Sequence, residues 1–194
     1  MSRTSSIKRT TTETSITLSL DLDGTGAYEV NTGLGFFDHM LSLFGKHAKI
    51  DLKVEAKGDL HVDEHHLIED VGISLGTAIL EAVGDKRGIE RFGTGFVAMD
   101  EALARTIIDL SGRSYLVFMA TFSRESINGF PLEMTKEFFQ AIANEGRMNL
   151  HIACLYGSNA HHQIEAMFKS FGRALGQAVL RTGSPEIPST KGIL

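Results

Sequence analysis

Apolar and polar residues alternate through SITLSLDL (15–22) and again through KIDLKVEA (49–56), the period of a strand that buries one face. Between them, DGTG is a turn signal and AYEVN (27–31) reads as another strand. LGFFDHMLSLFGKH (34–47) then changes to helical spacing and reads as a short amphipathic helix. DEHHLIEDVGISLGTAILEAVG (63–84) reads as a long helix with Asp63 as its N-cap. The turn-rich GDKRGIERFG (84–93) divides the chain into halves, 1–86 and 87–194, of one compact domain.

The second half repeats the order. GFVAMDEALARTIIDLSG (95–112) and YLVFMATF (115–122) read as strands, and SINGFPLEM (126–134) as a loop. TKEFFQAIANEG (135–146) is a short helix, MNLHIACLYG (148–157) a strand, and NAHHQIEAMFKSFGRALGQAVL (159–180) a long helix. A repeat of this kind has a register. Leu150 follows Leu52 by 98 positions and Glu137 follows His39 by the same 98. The front ends align at 88, which sets Glu101 on Glu13 and Gly112 on Gly24. The expected fold is therefore α+β, an internally duplicated unit of strands and two helices. Each half forms a mostly antiparallel sheet, and the helical faces pack together as the core. The apolar runs 71–83 and 167–179 are the expected contact surfaces.

Composition adds limits. With 194 residues, 42% hydrophobic and 22% charged, the chain reads as an ordinary soluble globular domain. A net charge of −5 argues against a broad nucleic-acid footprint, though it leaves room for a local anion site. One cysteine excludes an internal disulfide and a thiolate metal cluster, and Cys154 reads as a small buried strand residue. No apolar run approaches ~18 residues, so no membrane span is expected. MSRTSSIKRTTTETS lacks the apolar core of a secretory signal and reads as the start of the fold, in a cytoplasmic protein.

The candidate chemistry lies in a second repeat. DEHHLIED (63–70) and NAHHQIEA (159–166) each hold two adjacent histidines and a glutamate: His65, His66 and Glu69, then His161, His162 and Glu165. Neighbours on a helix diverge by ~100°, so adjacent imidazoles face different ions, while the glutamate at i+3 and i+4 shares their side. With His39 and Glu137, which are equivalent in the repeat, the set is five imidazoles and three carboxylates. That suits two divalent ions and leaves open whether they are manganese, iron, cobalt, nickel or zinc. His47, His61 and His151 do not recur in this pattern and read as histidines satisfied by neighbours or water. Lys86, Arg87, Arg105, Arg173 and Arg181 read as ordinary surface charges.

Beyond these patterns, the chain resembles the imidazoleglycerol-phosphate dehydratase family over essentially its whole length. The stretches that carry the likeness are RTTTET (9–14), GFFDHML (35–41), DEHHLIED (63–70), RFG (91–93), MDEAL (99–103), DLSGR (109–113), EFFQAIA (137–143), GSNAHHQIEAMFKSFGRAL (157–175) and PSTKG (188–192). The resemblance implies a duplicated unit of a four-stranded sheet and two helices, with the helices packed between the two sheets. It also implies trimers that build a 24-subunit shell, and two manganese ions per active site between subunits. The implied reaction converts D-erythro-imidazoleglycerol phosphate to imidazole-acetol phosphate and water.

The metal ligands it implies are His39, His65, His66, Glu69, Glu137, His161, His162 and Glu165. At Glu137 many members carry histidine, and glutamate is a competent ligand there. Glu13, Glu69 and Glu165 are the expected proton carriers. Glu13 and His39 also face substrate, and Arg91, Arg113, Ser189, Thr190 and Lys191 are expected at the phosphate. The tail that holds Lys191 is expected to order when substrate binds.

The ligand set alone also suits a two-metal hydrolase, which would release phosphate rather than water. A ferritin-like storage shell would need four long helices, against which the two alternating strands argue. A structural oligomer cross-linked by metal is compatible with catalysis, since shared ligands couple assembly to metal occupancy.

Overall fold

A computed structural model describes residues 3–194, so Met1 and Ser2 of the expected N-terminal start lie outside the described residues. The first half runs β1 (Thr4–Thr10), β2 (Thr14–Asp21), β3 (Tyr28–Asn31), α1 (Gly35–Ala48), β4 (Asp51–Gly58) and α2 (His65–Val83). The second runs β5 (Phe92–Met99), β6 (Ala102–Asp109), β7 (Tyr115–Met119), β8 (Ser126–Ile127), β9 (Phe130–Pro131), α3 (Met134–Glu145), β10 (Asn149–Tyr156) and α4 (Ala160–Ala178).

The two large sheets have matching orders, β1-β2-β4-β3 and β5-β6-β10-β7. In each, three strands are antiparallel and the last pairs in parallel with its neighbour. The 98-residue register holds in the folded chain, since β10 begins and ends 98 positions after β4. Lys49 and Arg147, also 98 apart, both adopt positive φ just past their short helices. The α+β duplication is therefore borne out, with a four-stranded sheet and two helices in each half and the short β8–β9 pair added in the second.

Strand burial follows the alternation. Ile16, Leu18 and Leu20 face inward from β2, and Leu52, Val54 and Ala56 from β4. Each long helix lies on its own half's sheet and on the other half's short helix, α2 against α3 and α4 against α1. The apolar runs 71–83 and 167–179 are thus contact surfaces between halves, each meeting the partner half's short helix. Aromatic rings fill the middle, with Phe138 stacked on Phe168 at 5.4 Å and Phe44 on Phe171 at 5.0 Å. Helix α4 comes so close to β5 that a Cβ on Gly93 would lie 1.8 Å from the Ala174 carbonyl oxygen.

Four local expectations are corrected. SINGFPLEM is not all loop: β8 and β9 pair as a two-residue hairpin, seating Phe130 against Phe36 and Phe37. The N-cap position of α2 is Glu64, while Asp63 instead accepts a bond from the His65 N–H (2.9 Å). Cys154 is half-buried on β10 rather than buried. Lys86 is buried rather than a surface charge. The helices, of 14, 19, 12 and 19 residues, are not the four long helices of a storage bundle.

Candidate metal centre and anion pocket

The first turn of α4 presents His161 and, one turn on, Glu165, because i and i+4 share a helix face. Helix α1 crosses α4 and brings His39 to the same place. Its Nε2 is 3.3 Å from Glu165 Oε2, and His161 Nε2 is 3.1 Å from that oxygen. Donor atoms of His39, His161 and Glu165 all lie within 4.8 Å of one another. Phe36 backs the His161 ring edge-on at 5.2 Å. Glu165 is buried, while both histidines are partly open. Burial raises its pKa, but the Lys169 ammonium bonded to Oε1 and the two imidazoles outweigh that, so the carboxyl ends below its ordinary range.

The adjacent histidines diverge as helix geometry requires. His162 turns away to the β5–β6 turn, where Glu101 Oε2 accepts from its Nδ1 at 2.7 Å. That bond raises His162, and the same bond, with the Asn159 and Ser158 N–H groups, lowers Glu101 to about 2. The first half repeats the arrangement more loosely. His66 Nδ1 is 3.2 Å from Asp59 and 3.7 Å from Glu13, and the Asp59 bond, helped by Glu13, raises its pKa. His65 lies 3.7 Å from Glu69. The Glu137 side chain, half-buried on α3, makes no hydrogen bond or ion pair among the described residues.

The eight expected ligands thus fall into separate groups. Three are gathered, two are adjacent on α2, and His66, His162 and Glu137 stand apart. Nitrogen and carboxylate oxygen within a few ångströms, with one buried ionised carboxylate, fit a borderline-hard divalent ion. Two residues that the pattern did not single out belong to the site. Glu101 orients His162, and its place on Glu13 in the repeat was the available signal. Lys169 is one turn past Glu165, a spacing that marks it as a neighbour but not as a functional one.

The other expected set forms a cavity of about 600 Å³ lined by Arg91, Arg113, Ser189, Thr190 and Lys191. Arg91 makes a forked pair with Asp109 (2.7 and 3.2 Å) and donates to the Pro188 carbonyl (2.8 Å), which holds the tail at the rim. The Arg91 N–H also bonds the carbonyl of Ala178, the last residue of α4. This cavity therefore sits at the opposite end of α4 from His161 and Glu165.

Fold and site together define a class: a duplicated two-sheet α+β chain with a histidine–carboxylate cluster at one end of its helices and a cavity lined by basic side chains at the other. Comparison with known proteins bears on the fold and the family. The family model for imidazoleglycerol-phosphate dehydratase matches residues 32–175. Relatives of that name include one from Lacticaseibacillus casei, 55% identical over 99% of this chain and 100% of its own. Another, from Acidiphilium cryptum, is 56% identical over the whole of both. The crystal structure from Staphylococcus aureus superposes with a TM-score of 0.84 at 42% identity, covering 92% of this chain and 99% of that one. The Pyrococcus furiosus structure, solved with (S)-C348, gives 0.85 at 37% identity over 97% and 100%. The chain belongs to the imidazoleglycerol-phosphate dehydratase family, the hydro-lyases of histidine biosynthesis.

Proposed function

We propose that this chain dehydrates D-erythro-imidazoleglycerol phosphate to imidazole-acetol phosphate at sites completed between copies of itself, each holding two divalent ions, manganese in the first place. The observation that carries the reading is the separation of the two ligand sets. From Glu165 to the end of α4 is 13 residues, roughly 20 Å of helix, and the anion pocket lies at that far end. A single imidazole bearing a three-carbon phosphate chain does not bridge that distance. The metal end of one chain must meet the pocket end of another, as in the trimers and 24-subunit shell that the family likeness suggests.

In this reading His39, His161 and Glu165 hold one ion, and their counterparts in the repeat, Glu137, His65 and Glu69, supply donors to the other. His66 and His162, held outward by Asp59 with Glu13 and by Glu101, offer imidazole to a neighbouring copy, their orientation set by those carboxylates. The bound ions supply Lewis acidity and a template for the ring and the diol. The protein's own part is positional and protonic. The outward histidines and carboxylates fix the flat ring, and Arg91, Arg113, Ser189, Thr190 and Lys191 fix the phosphate. Glu13, exposed beside His66, and Glu69 are open to carry a proton to or from solvent. Glu165 is held as a carboxylate by Lys169, whose ammonium is the nearby group able to protonate a departing hydroxyl.

The test is direct. Metal-stripped protein given the substrate and then manganese should form imidazole-acetol phosphate only after the metal returns, without releasing inorganic phosphate. Release of phosphate would favour the two-metal hydrolase, and full turnover by stripped protein would overturn the metal assignment.

A further inference from the structure

The anion pocket has one cation behind its wall that the ligand pattern did not assign. Lys86, three residues past the end of α2, is only 5% exposed, yet it makes no hydrogen bond or ion pair among the described residues. Its Nζ lies 3.5 Å from the point where a Cβ on Gly112 would sit, and Gly112 forms part of the pocket wall. The same point is 3.0 Å from the backbone carboxyl carbon of Leu194, the last residue of the sequence, so the tail closes over this wall. Gly112 has φ +79, a conformation that favours a residue without a side chain. Burial depresses the ammonium, Asp109 pulls the other way, and Arg91 and Arg147 add to the depression. Asp109 is already taken by the forked pair with Arg91. A buried, unpaired ammonium is costly unless something answers its charge.

The internal duplication supplies a comparison within the same molecule. Eighty-eight positions earlier, Arg3 stands for Arg91, Gly24 for Gly112 and Asp23 for Ser111. Arg181 lies three residues past the end of α4, as Lys86 lies three past the end of α2, one position off the 96-residue spacing of the histidine pairs. In that first-half copy a carboxylate fills the centre. Asp23 accepts bonds from the Arg3 guanidinium and from Arg181 Nη2 (3.4 Å), and Arg3 holds it below the usual carboxylate range. In the second-half copy the acid is replaced by the Ser111 hydroxyl, and neither Arg113 nor Lys191 has an ion-pair partner among the described residues.

We propose that Lys86 is a phosphate-binding residue, its ammonium reaching past the bare Cα of Gly112 to a dianion that takes the place Asp23 fills in the first-half copy. This rests on the reading of the Arg91–Arg113–Lys191 cavity as the phosphate pocket, and the two are tested apart. In assembled, metal-loaded enzyme, Lys86→Met should weaken inhibition by inorganic phosphate by about tenfold to a hundredfold, the usual effect of losing one charge-assisted bond. KM for the substrate should rise by more than kcat falls.

Two further readouts separate this role from a structural one. Lys86→Met should melt at the same temperature as the parent or higher in phosphate-free buffer, because it removes an unpaired buried charge. Lys86→Arg should restore much of the phosphate affinity. Ser111→Asp, which copies the filled first-half pocket, should lose phosphate affinity as well. If Arg113→Ala weakens phosphate and Lys86→Met does not, the Lys86 assignment is overturned while the pocket reading stands. If neither variant changes phosphate affinity, the pocket reading falls with it.

Discussion

At the scale of single residues, carboxylates are placed by what donates to them. Asp51 opens β4, and its Oδ1 accepts the N–H groups of Ala27 (2.9 Å), Thr25 (2.8 Å) and Gly26 (3.0 Å), which closes the turn into β3. Those bonds hold its pKa below the ordinary 3.8. A carboxyl lowered on folding stabilises fully above its unfolded value and loses that effect as pH falls through the folded one. Asp51→Asn should therefore lower stability modestly at pH 7 in urea unfolding, since solvent screens the charge and Asn keeps one acceptor oxygen, with the gap closing as pH falls below the ordinary carboxylate range. A gap equal at neutral and low pH would show that charge plays no part. Glu165 is the counterpart at the candidate metal centre. It is the one buried donor of its trio, so Glu165→Gln should lower divalent-metal affinity by about tenfold or more in a chelator competition while leaving the fold intact. Unchanged affinity would remove His39, His161 and Glu165 as a site.

At the scale of elements, the duplication is visible because each half buries one face and each face keeps its own period. Strands β2 and β4 and the two long helices were legible for that reason, since Ile16, Leu18 and Leu20 point one way and their polar neighbours the other. The hairpin of β8 and β9 was not, because two-residue strands are too short to show a period. The HHxxE spacing told that His65 and His66 diverge, and so do His161 and His162. It did not tell that Glu137 forms no close donor cluster with His65 and Glu69 among the described residues, since that depends on how α3 crosses α2. Lys86 was unreadable for a similar reason. A lysine in a turn is usually solvated, and here it is buried by the fold around Gly112, where the 188–194 tail also closes. Close packing of α4 on β5 carries its own prediction. Gly93→Val has no room against the Ala174 carbonyl, so it should destabilise the chain by about 3 kcal/mol or more in thermal unfolding. A value near zero would mean that α4 can slide along the sheet.

At the scale of the whole molecule, the proposed reading divides one chemistry between the two ends of the helical layer. Among the described residues, no histidine or acidic side chain lines the Arg/Lys pocket, so His39, His161 and Glu165 all lie outside it. Because both ends belong to every chain, a closed symmetric assembly would join them without any chain needing to fold back on itself. This arrangement makes a prediction that a self-contained site does not. Glu165→Gln chains and Arg113→Ala chains should each be nearly inactive alone. When the two are dissociated by metal removal, mixed in equal amounts and reassembled with manganese, activity should return, because some sites then combine an intact metal end with an intact pocket end. If each site draws those ends from two chains, about a quarter of the sites are restored at equal mixing. A site needing three chains restores fewer. Activity that stays at the level of the separate variants, while the mixed assembly forms at full size, would place the whole site within one chain and force the roughly 20 Å gap along α4 to be closed by a rearrangement of the chain itself.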